Sequence, residues 1–469
     1  MNNQVSVPSK RLALINVVGL SQSILDRGMP RLNTWIKSNA AQVKSFAPEF
    51  PAVTCSAQSS MLTGQSVNEH GIVANGWYDR ESAEVKFWKQ SNHLVKGDKI
   101  WDKLKAENPD FTCAKLFWWY NMYSTADITI TPRPLYPADG RKVFDIHTHP
   151  MTLREEIKSD LGEFPFMSFW GPRAGIPSSQ WIADSACWVE DRYKPDLSLI
   201  YLPHLDYDLQ RFGSDHTKTI RCISEIDDVL MNLIERLEKQ GVEPVIVSEY
   251  GISEVKKPIH LNRIFRKQGW LQLKNELGLE ALDLGMSEVF AVADHQVAHV
   301  YLKTKNLEAE VLTLLRNTKG IARVQLRDEL YSPDSVAYKR AGDIIVSAEP
   351  DAWFTYYYWL DDKLAPDYAR CIDIHRKIGY DPTELFVDPN LKGAKLKIIK
   401  FLLKKKLGFR ALLDVIGLDA SMIRGSHGLS SVTEPEQPII ISKQAELLLD
   451  IEQAKDVFGF IEAYFKNEK

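Results

Sequence analysis

Four separated clusters of polar side chains could do chemistry in this 469-residue chain. The first runs from Phe50 and Pro51 through Thr54 to Thr63 and Gly64, followed by His70, Gly71, Ile72 and Asn75. Thr54 stands where a loop turns into a helix. Backbone N–H groups at such a place favour an anion, and a hydroxyl beside them could meet a phosphate. The same threonine could equally be a plain helix cap. The second cluster, His204, Asp206 and Asp208, offers nitrogen and oxygen ligands. The third is Ser248, Glu249, Tyr250 and Gly251, and the fourth is Gly425, Ser426, His427 and Gly428, a histidine flanked by glycines. Three further groups have a structural reading beside a chemical one. His295 and His299 are spaced for one face of a helix, yet Val297, Val300, Tyr301 and Leu302 favour a strand, which would hold them roughly 13 Å apart. Asp373, His375, Asp381 and Glu384 could shape a pocket or hold a turn. Cys55, beside Thr54, reads as a small buried residue rather than a second nucleophile.

The elements that must carry these clusters follow from patterning. Leu12–Val18 is a continuous apolar run ending at Gly19, the mark of a strand buried on both faces in a parallel sheet. Similar runs occupy Cys113–Trp118, Leu197–Leu202 and Val245–Val247. Between them, Ile226, Val229, Leu230, Leu233 and Leu237 form one apolar stripe over Ser224–Lys239. Alternating strands and helices predict a doubly wound, mostly parallel α/β sheet with helices on both faces. Such sheets hold their sites at the carboxyl ends of the strands, where the second and third clusters fall. Residues 255–345, with short strands such as Ala298–Leu302 and a helix near Leu307–Arg316, read as an inserted capping region within a single domain spanning 1–469. Asp351–Leu360 is aromatic and β-prone.

Taken in order, the clusters resemble the type I phosphodiesterase/nucleotide pyrophosphatase family of the alkaline phosphatase superfamily. Thr54, with Thr63-Gly64, His70-Gly71-Ile72 and Asn75, is similar to the family's nucleophile segment. Asp206 to Gly213 resembles its Asp-x-x-x-His-x-x-Gly motif, Ser248 to Gly251 its Ser-Asp-His-Gly, and Gly425 to Gly428 its Gly-Thr-His-Gly. Ile100-Trp101 and Phe117 to Trp119 fall where the family has an Ile-Trp helix and an aromatic strand. The resemblance also extends to alkaline-phosphatase-like proteins of small bacterial metabolite gene clusters, which implies a small-molecule metabolic or export role.

The resemblance implies a phosphoric-ester hydrolase in which a threonine alkoxide attacks phosphorus beside two zinc ions, forming a phospho-enzyme. Carried over here, Thr54 is the nucleophile, Tyr250 a ligand or proton donor, and Asp206, Glu249 and His427 the metal-binding residues. Trp119, Tyr120 and His375 are expected to contact substrate. The ligand set departs from the family at Val18, Gln210, Glu249 and Tyr250, which stand for aspartate, histidine, aspartate and histidine, and Ala57 replaces an asparagine. Two zincs, with three protein ligands for each catalytic ion, are not provided for. A single divalent metal of harder character, manganese or iron, is the expectation. The competing reading is a non-catalytic protein of the same fold that binds a metabolite or partner.

Composition bounds the rest. Lys plus Arg is 58 against 62 Asp plus Glu, a net charge of −4, so a global nucleic-acid-binding surface is not expected; a small phosphorylated metabolite as partner is what the resemblance implies. Five scattered cysteines without CxxC pairing fit a reducing compartment, and the absence of a leader-like cleavage site points to the cytoplasm. Lys392 to Arg410 is strongly basic, with Leu396, Ile399, Leu403 and Leu407 at helical spacing. The expectation is a surface helix packing that stripe inward; the alternative is weak contact with an anionic membrane surface. Oligomeric state is not read from the sequence.

Overall fold

The continuous apolar runs form the centre of an eight-stranded sheet. In the computed structural model, which describes residues 10–466, five strands run parallel in the order Glu243–Val247, Leu12–Val17, Leu197–Leu202, Cys113–Leu116 and Ile128–Pro132. Antiparallel strands close both edges, Ile439–Ser442 and Gln42–Ser45 on one side and Ile146–His149 on the other. Every residue of Leu12–Val17 and of Leu197–Leu202 is buried. Both faces are therefore covered, which is why these strands lack polar alternation. The long helices Ile176–Tyr193 and Thr217–Lys239 supply part of that cover; the second presents Ile226, Leu230, Leu233 and Leu237 from the stripe legible in the sequence. Met1–Ser9, part of the stretch read for a leader, lies outside the described residues. Among the described residues no helix is long and apolar enough to cross a membrane.

A second, four-stranded antiparallel sheet takes Val289–Asp294, Val297–Leu302, Ile344–Ala348 and Ile321–Leu326 in that order, with a core of its own. The hairpin joining its first two strands turns at His295, whose φ is +60°. That turn reaches the loop that carries His427: the Gln296 amide donates to the His427 carbonyl at 2.9 Å. The aromatic run after Asp351 forms a strand only over Ala352–Phe354. Tyr356, Tyr357, Tyr358 and Trp359 are nonetheless buried, so burial of rings, rather than strand pairing, accounts for that composition.

One expectation is overturned. The basic stretch is helical over Ala394–Lys406, but no residue of the helix is buried. Leu396, Ile399, Leu403 and Leu407 face outward, 72%, 53%, 56% and 71% exposed, whereas Ile398, Phe401 and Lys405 on the other side are the half-buried ones. Both sides are apolar enough to pack, and the stripe alone does not say which one does.

Candidate active site

Each candidate cluster follows a strand or starts a helix, and four of them meet at one end of the main sheet. Thr54 is the first residue of the wholly buried helix Thr54–Thr63. Asp206 lies in the first turn of His204–Phe212, directly after the strand Leu197–Leu202. Glu249 and Tyr250 follow the strand Glu243–Val247, and His427 follows the short strand Gly425–Ser426. The Ala52 amide donates to the Gly428 carbonyl at 3.0 Å and fastens the Thr54 loop to the histidine loop.

The side chains converge as the loops do. The Thr54 and Tyr250 hydroxyls share a hydrogen bond of 2.9 Å. The Tyr250 ring lies flat on the His427 imidazole, centroids 3.6 Å apart and planes 8° from parallel. His427 Nδ1 donates to the Ala52 carbonyl at 2.7 Å, which leaves Nε2 as a bare acceptor 3.9 Å from Asp206 Oδ1. Behind Thr54, Glu249 accepts hydrogen bonds from Gln58 Nε2, at 2.6 Å, and from Asn16 Nδ2. Thr54, Asp206, Tyr250 and His427 line the inner end of a cavity of about 1290 Å³. That is larger than the ~300–1000 Å³ usual for small-molecule sites.

Burial sets the charges. Removal from water pushes the Asp206 carboxyl up to about 7, against a hydrogen bond from Gln210 that favours the ionised form. The same cause takes Glu249 up to about 8, with Gln58, Asn16 and Thr54 holding it back in part. His427 is pushed well below its ordinary value by burial and by neighbouring His295, and is neutral. Two carboxyls that exchange protons near neutral pH thus flank a hydroxyl.

Of the side chains expected to contact substrate, Trp119 and His375 line the cavity and Tyr120 does not. Trp119 is set by its amide, which donates to Gln58 Oε1 at 2.7 Å, and its ring meets Trp88 with centroids 4.6 Å apart. Tyr120 takes a φ of +52° and turns into the core beside Cys55. Cys55 is fully buried, and burial raises its thiol well above its ordinary range. His204 and Asp208 point away from the cluster, to Glu225 at 3.3 Å and Arg211 at 2.8 Å. His299 is structural: it accepts from the Gly342 amide at 3.1 Å and contacts the Val73 carbonyl at 3.2 Å. Asp373 and His375 do reach the cavity, while Glu384 and Asp381 hold the loop through buried Lys377.

Several members were not read as site residues from sequence. His295 meets His427 with centroids 3.7 Å apart and planes tilted by 35°, and stacks on Tyr380 at 3.6 Å, extending Tyr250–His427 into a row of four rings. Asp294 anchors it through Nδ1 at 2.7 Å, and Asn75 anchors Asp294 in turn through its amide, at 2.8 Å, and Nδ2. Tyr380 donates to Gln210 Oε1 and Gln210 Nε2 donates to Asp206 Oδ2, 2.9 and 2.8 Å. Gln210 and Tyr250, which stand where the family has histidines, are therefore parts of a hydrogen-bonded wall. Asn75, the last residue of the nucleophile-like segment, was the one signal leading towards this second sheet.

A family model described as type I phosphodiesterase / nucleotide pyrophosphatase matches residues 12–381. The chain belongs to this family. Among curated relatives, an uncharacterised pyrophosphatase/phosphodiesterase of Schizosaccharomyces pombe is 26% identical over 294 residues, 61% of this chain and 52% of that protein. An ectonucleotide pyrophosphatase/phosphodiesterase of Saccharomyces cerevisiae is 23% identical over 265 residues, covering 52% of this chain and 47% of its own. The chain thus spans about half the length of the curated relatives it matches. Among solved structures, phosphonoacetate hydrolase of Sinorhizobium meliloti, with phosphonoacetate, superposes with a TM-score of 0.60 at 13% identity, over 97% of this chain and 96% of that one. Murine ectonucleotide pyrophosphatase/phosphodiesterase 5 gives 0.57 at 13% identity, over 98% and 96%. These likenesses show the fold, an alkaline-phosphatase-like α/β architecture around a mostly parallel sheet.

The family's use of divalent metal was tested against the donors present. Val18 is a buried hydrocarbon, Gln210 is committed to Tyr380 and Asp206, and the Tyr250 ring occupies the face of His427. Among the described residues no three His, Cys, Asp or Glu side chains gather as ligands of one ion. Asp206 Oδ1 and His427 Nε2 supply two donors, one short of the three a catalytic zinc takes from protein. The paired-zinc centre does not fit this wall.

Proposed function

We propose that this chain hydrolyses phosphoric esters or pyrophosphate bonds, with the Thr54 hydroxyl as nucleophile. The observation carrying the reading is the placement of Thr54 at a helix start, against Tyr250 and Glu249, with Asp206 and His427 across the same cavity end. Family membership gives the reaction class. The chemistry then falls to the chain's own groups. Thr54 Oγ1 attacks phosphorus and the phosphorus–oxygen bond to the leaving group breaks. In the fraction of molecules with Glu249 ionised and Asp206 protonated, the threonine proton passes to the Glu249 carboxylate and the Asp206 carboxyl supplies a proton to the departing oxygen. N–H groups opening the helix Thr54–Thr63, with the Tyr250 hydroxyl, stabilise charge on the phosphoryl oxygens. In the second half Asp206 draws a proton from water, which attacks the phosphothreonine, and Glu249 returns its proton to Thr54 Oγ1.

A murine structure of this fold contains AMP in an inactive form, and the cavity has ample room for a phosphorylated metabolite of that size. Five free, buried cysteines support a reducing, cytoplasmic location. One observation favours a second reading, a binding protein without turnover: Tyr250 stacked on His427 replaces a metal-ligating imidazole with a ring. The test is turnover of 4-nitrophenyl phosphate and bis(4-nitrophenyl) phosphate, with and without chelator, by wild type and Thr54→Ala. Turnover that survives chelation and drops by ~100-fold or more in the variant supports the hydrolase, since an attacking group lowers the barrier by several factors of ten. Saturable binding of ester with no turnover in wild type selects the binding protein.

A further inference from the structure

The largest unexplained surface feature lies at the other end of the same cavity. Its mouth is shared with the basic helix and the segment after it: Phe401, Lys405, Phe409, Arg410 and Leu412 all line it. Between Lys392 and Arg410 there are eight Lys and Arg and not one Asp or Glu, in a chain whose net charge is −4. A positive patch of this kind is local, and it coincides with the apolar stripe turned to water.

That stripe is costly to leave uncovered. Leu396, Ile399, Leu403 and Leu407 are more than half exposed, and Phe409 and Leu412 continue the patch at 63% and 66%. Tyr123, Tyr136 and Val143, also exposed, stand around the same mouth. Buried apolar surface contributes about 25 cal/mol per Å², so a contiguous patch of leucine side chains is expected to have a covering partner. The lysines choose between partners. Lys395, Lys400, Lys404 and Lys406 flank the stripe and, among the described residues, have no carboxylate within ion-pairing distance, whereas Lys397 is held by Asp414 at 2.6 Å. An apolar stripe edged by free lysines, with tyrosines at the level of the rim, matches the interface of an anionic bilayer. A second copy of the chain would place those like charges opposite one another.

The geometry points to residues 394–412 as a docking surface for anionic lipid bilayers, holding the mouth of the cavity against the membrane. In this orientation the leucines enter the acyl boundary and the lysines meet lipid phosphates. Docking of this kind is reversible and salt-sensitive, because one short helix carries it.

The test is sedimentation of the full chain with vesicles of phosphatidylcholine alone or mixed with phosphatidylserine, at low and high salt. Partitioning into the anionic vesicles that falls with salt is expected. Lys400→Gln/Lys404→Gln, at exposed positions, weakens it by about fivefold for each lysine. Leu403→Glu/Leu407→Glu, which removes nothing from the core, weakens it by at least as much. Light scattering on the same samples reads self-association. Equal partitioning into neutral and anionic vesicles overturns the proposal, as does unchanged binding by the leucine variant. A dimer that the leucine variant dissociates, without vesicle binding by wild type, overturns it in favour of a second copy. The readout is binding, so it fails or succeeds separately from phosphoric-ester turnover.

Discussion

Replacing Glu249 by glutamine changes one proton and almost no volume, which isolates the electrostatics of the site. Glu249 Oε1 accepts from Gln58 and Asn16, while Oε2 has no hydrogen-bond partner among the described residues. A glutamine can keep its carbonyl oxygen on the same two donors and put its amide where the protonated Oε2 stood. Burial raises the carboxyl from 4.5 to about 8. The folded chain therefore holds a proton that the unfolded chain releases above about 4.5, and rising pH favours unfolding until the folded group ionises near 8. At about 1.4 kcal/mol per pH unit the full window is worth at most roughly 5 kcal/mol, and the part between pH 6 and pH 8 roughly 3 kcal/mol. Denaturant unfolding of both proteins from pH 5 to pH 9 measures this. The stability of Glu249→Gln relative to wild type should grow by up to roughly 3 kcal/mol from pH 6 to pH 8 and level off above it. A difference that stays constant across that range, or shrinks, would refute the reasoning that an uncompensated buried carboxyl stands behind Thr54.

Two further substitutions probe the wall and the scaffold. Tyr250→Phe keeps the ring on His427 and removes only the hydroxyl that bonds Thr54; turnover should fall by roughly tenfold to a hundredfold, the value of one lost polar contact to the reacting group, with unfolding little changed. Lys377 is buried between Asp381 at 2.7 Å and Glu384 at 2.6 Å. Burial disfavours its charge, but the two carboxylates outweigh that and hold it above the ordinary lysine range. Lys377→Met should therefore destabilise the chain by about 3–5 kcal/mol in denaturant unfolding, because it leaves two buried carboxylates unpaired.

The parts of the site that a sequence displays are those fixed by local chemistry. Parallel strands buried on both faces leave continuous apolar runs, and the polar residues just beyond them, Asp206, Glu249 and Tyr250, must sit at one edge of the sheet. Thr54 and His427 stand out for the same reason, between a loop and a helix start or between two glycines. The place of His295, Asp294 and Tyr380 in the site was illegible because it depends on a hairpin from the second sheet meeting the loop of His427. Nothing in a β-hairpin's own residues says what its turn will touch. Tyr120 lies off the cavity because of backbone conformation: its positive φ turns the side chain away from the direction taken by neighbouring Trp119, which lines the cavity. The basic helix was legible as a helix and not as a face, since Ile398 and Phe401 could pack as well as the leucine stripe opposite.

The most direct test of the account is to look for the covalent intermediate. Wild type mixed with bis(4-nitrophenyl) phosphate and quenched in acid within one turnover, then digested and weighed by mass spectrometry, should carry a phosphoryl ester on Thr54. Glu249→Gln, which cannot return the proton in the second half of the reaction, should change its yield. Turnover in which Thr54 never carries phosphorus, under quenching that preserves phosphothreonine standards, would contradict the claim that this hydroxyl is the nucleophile.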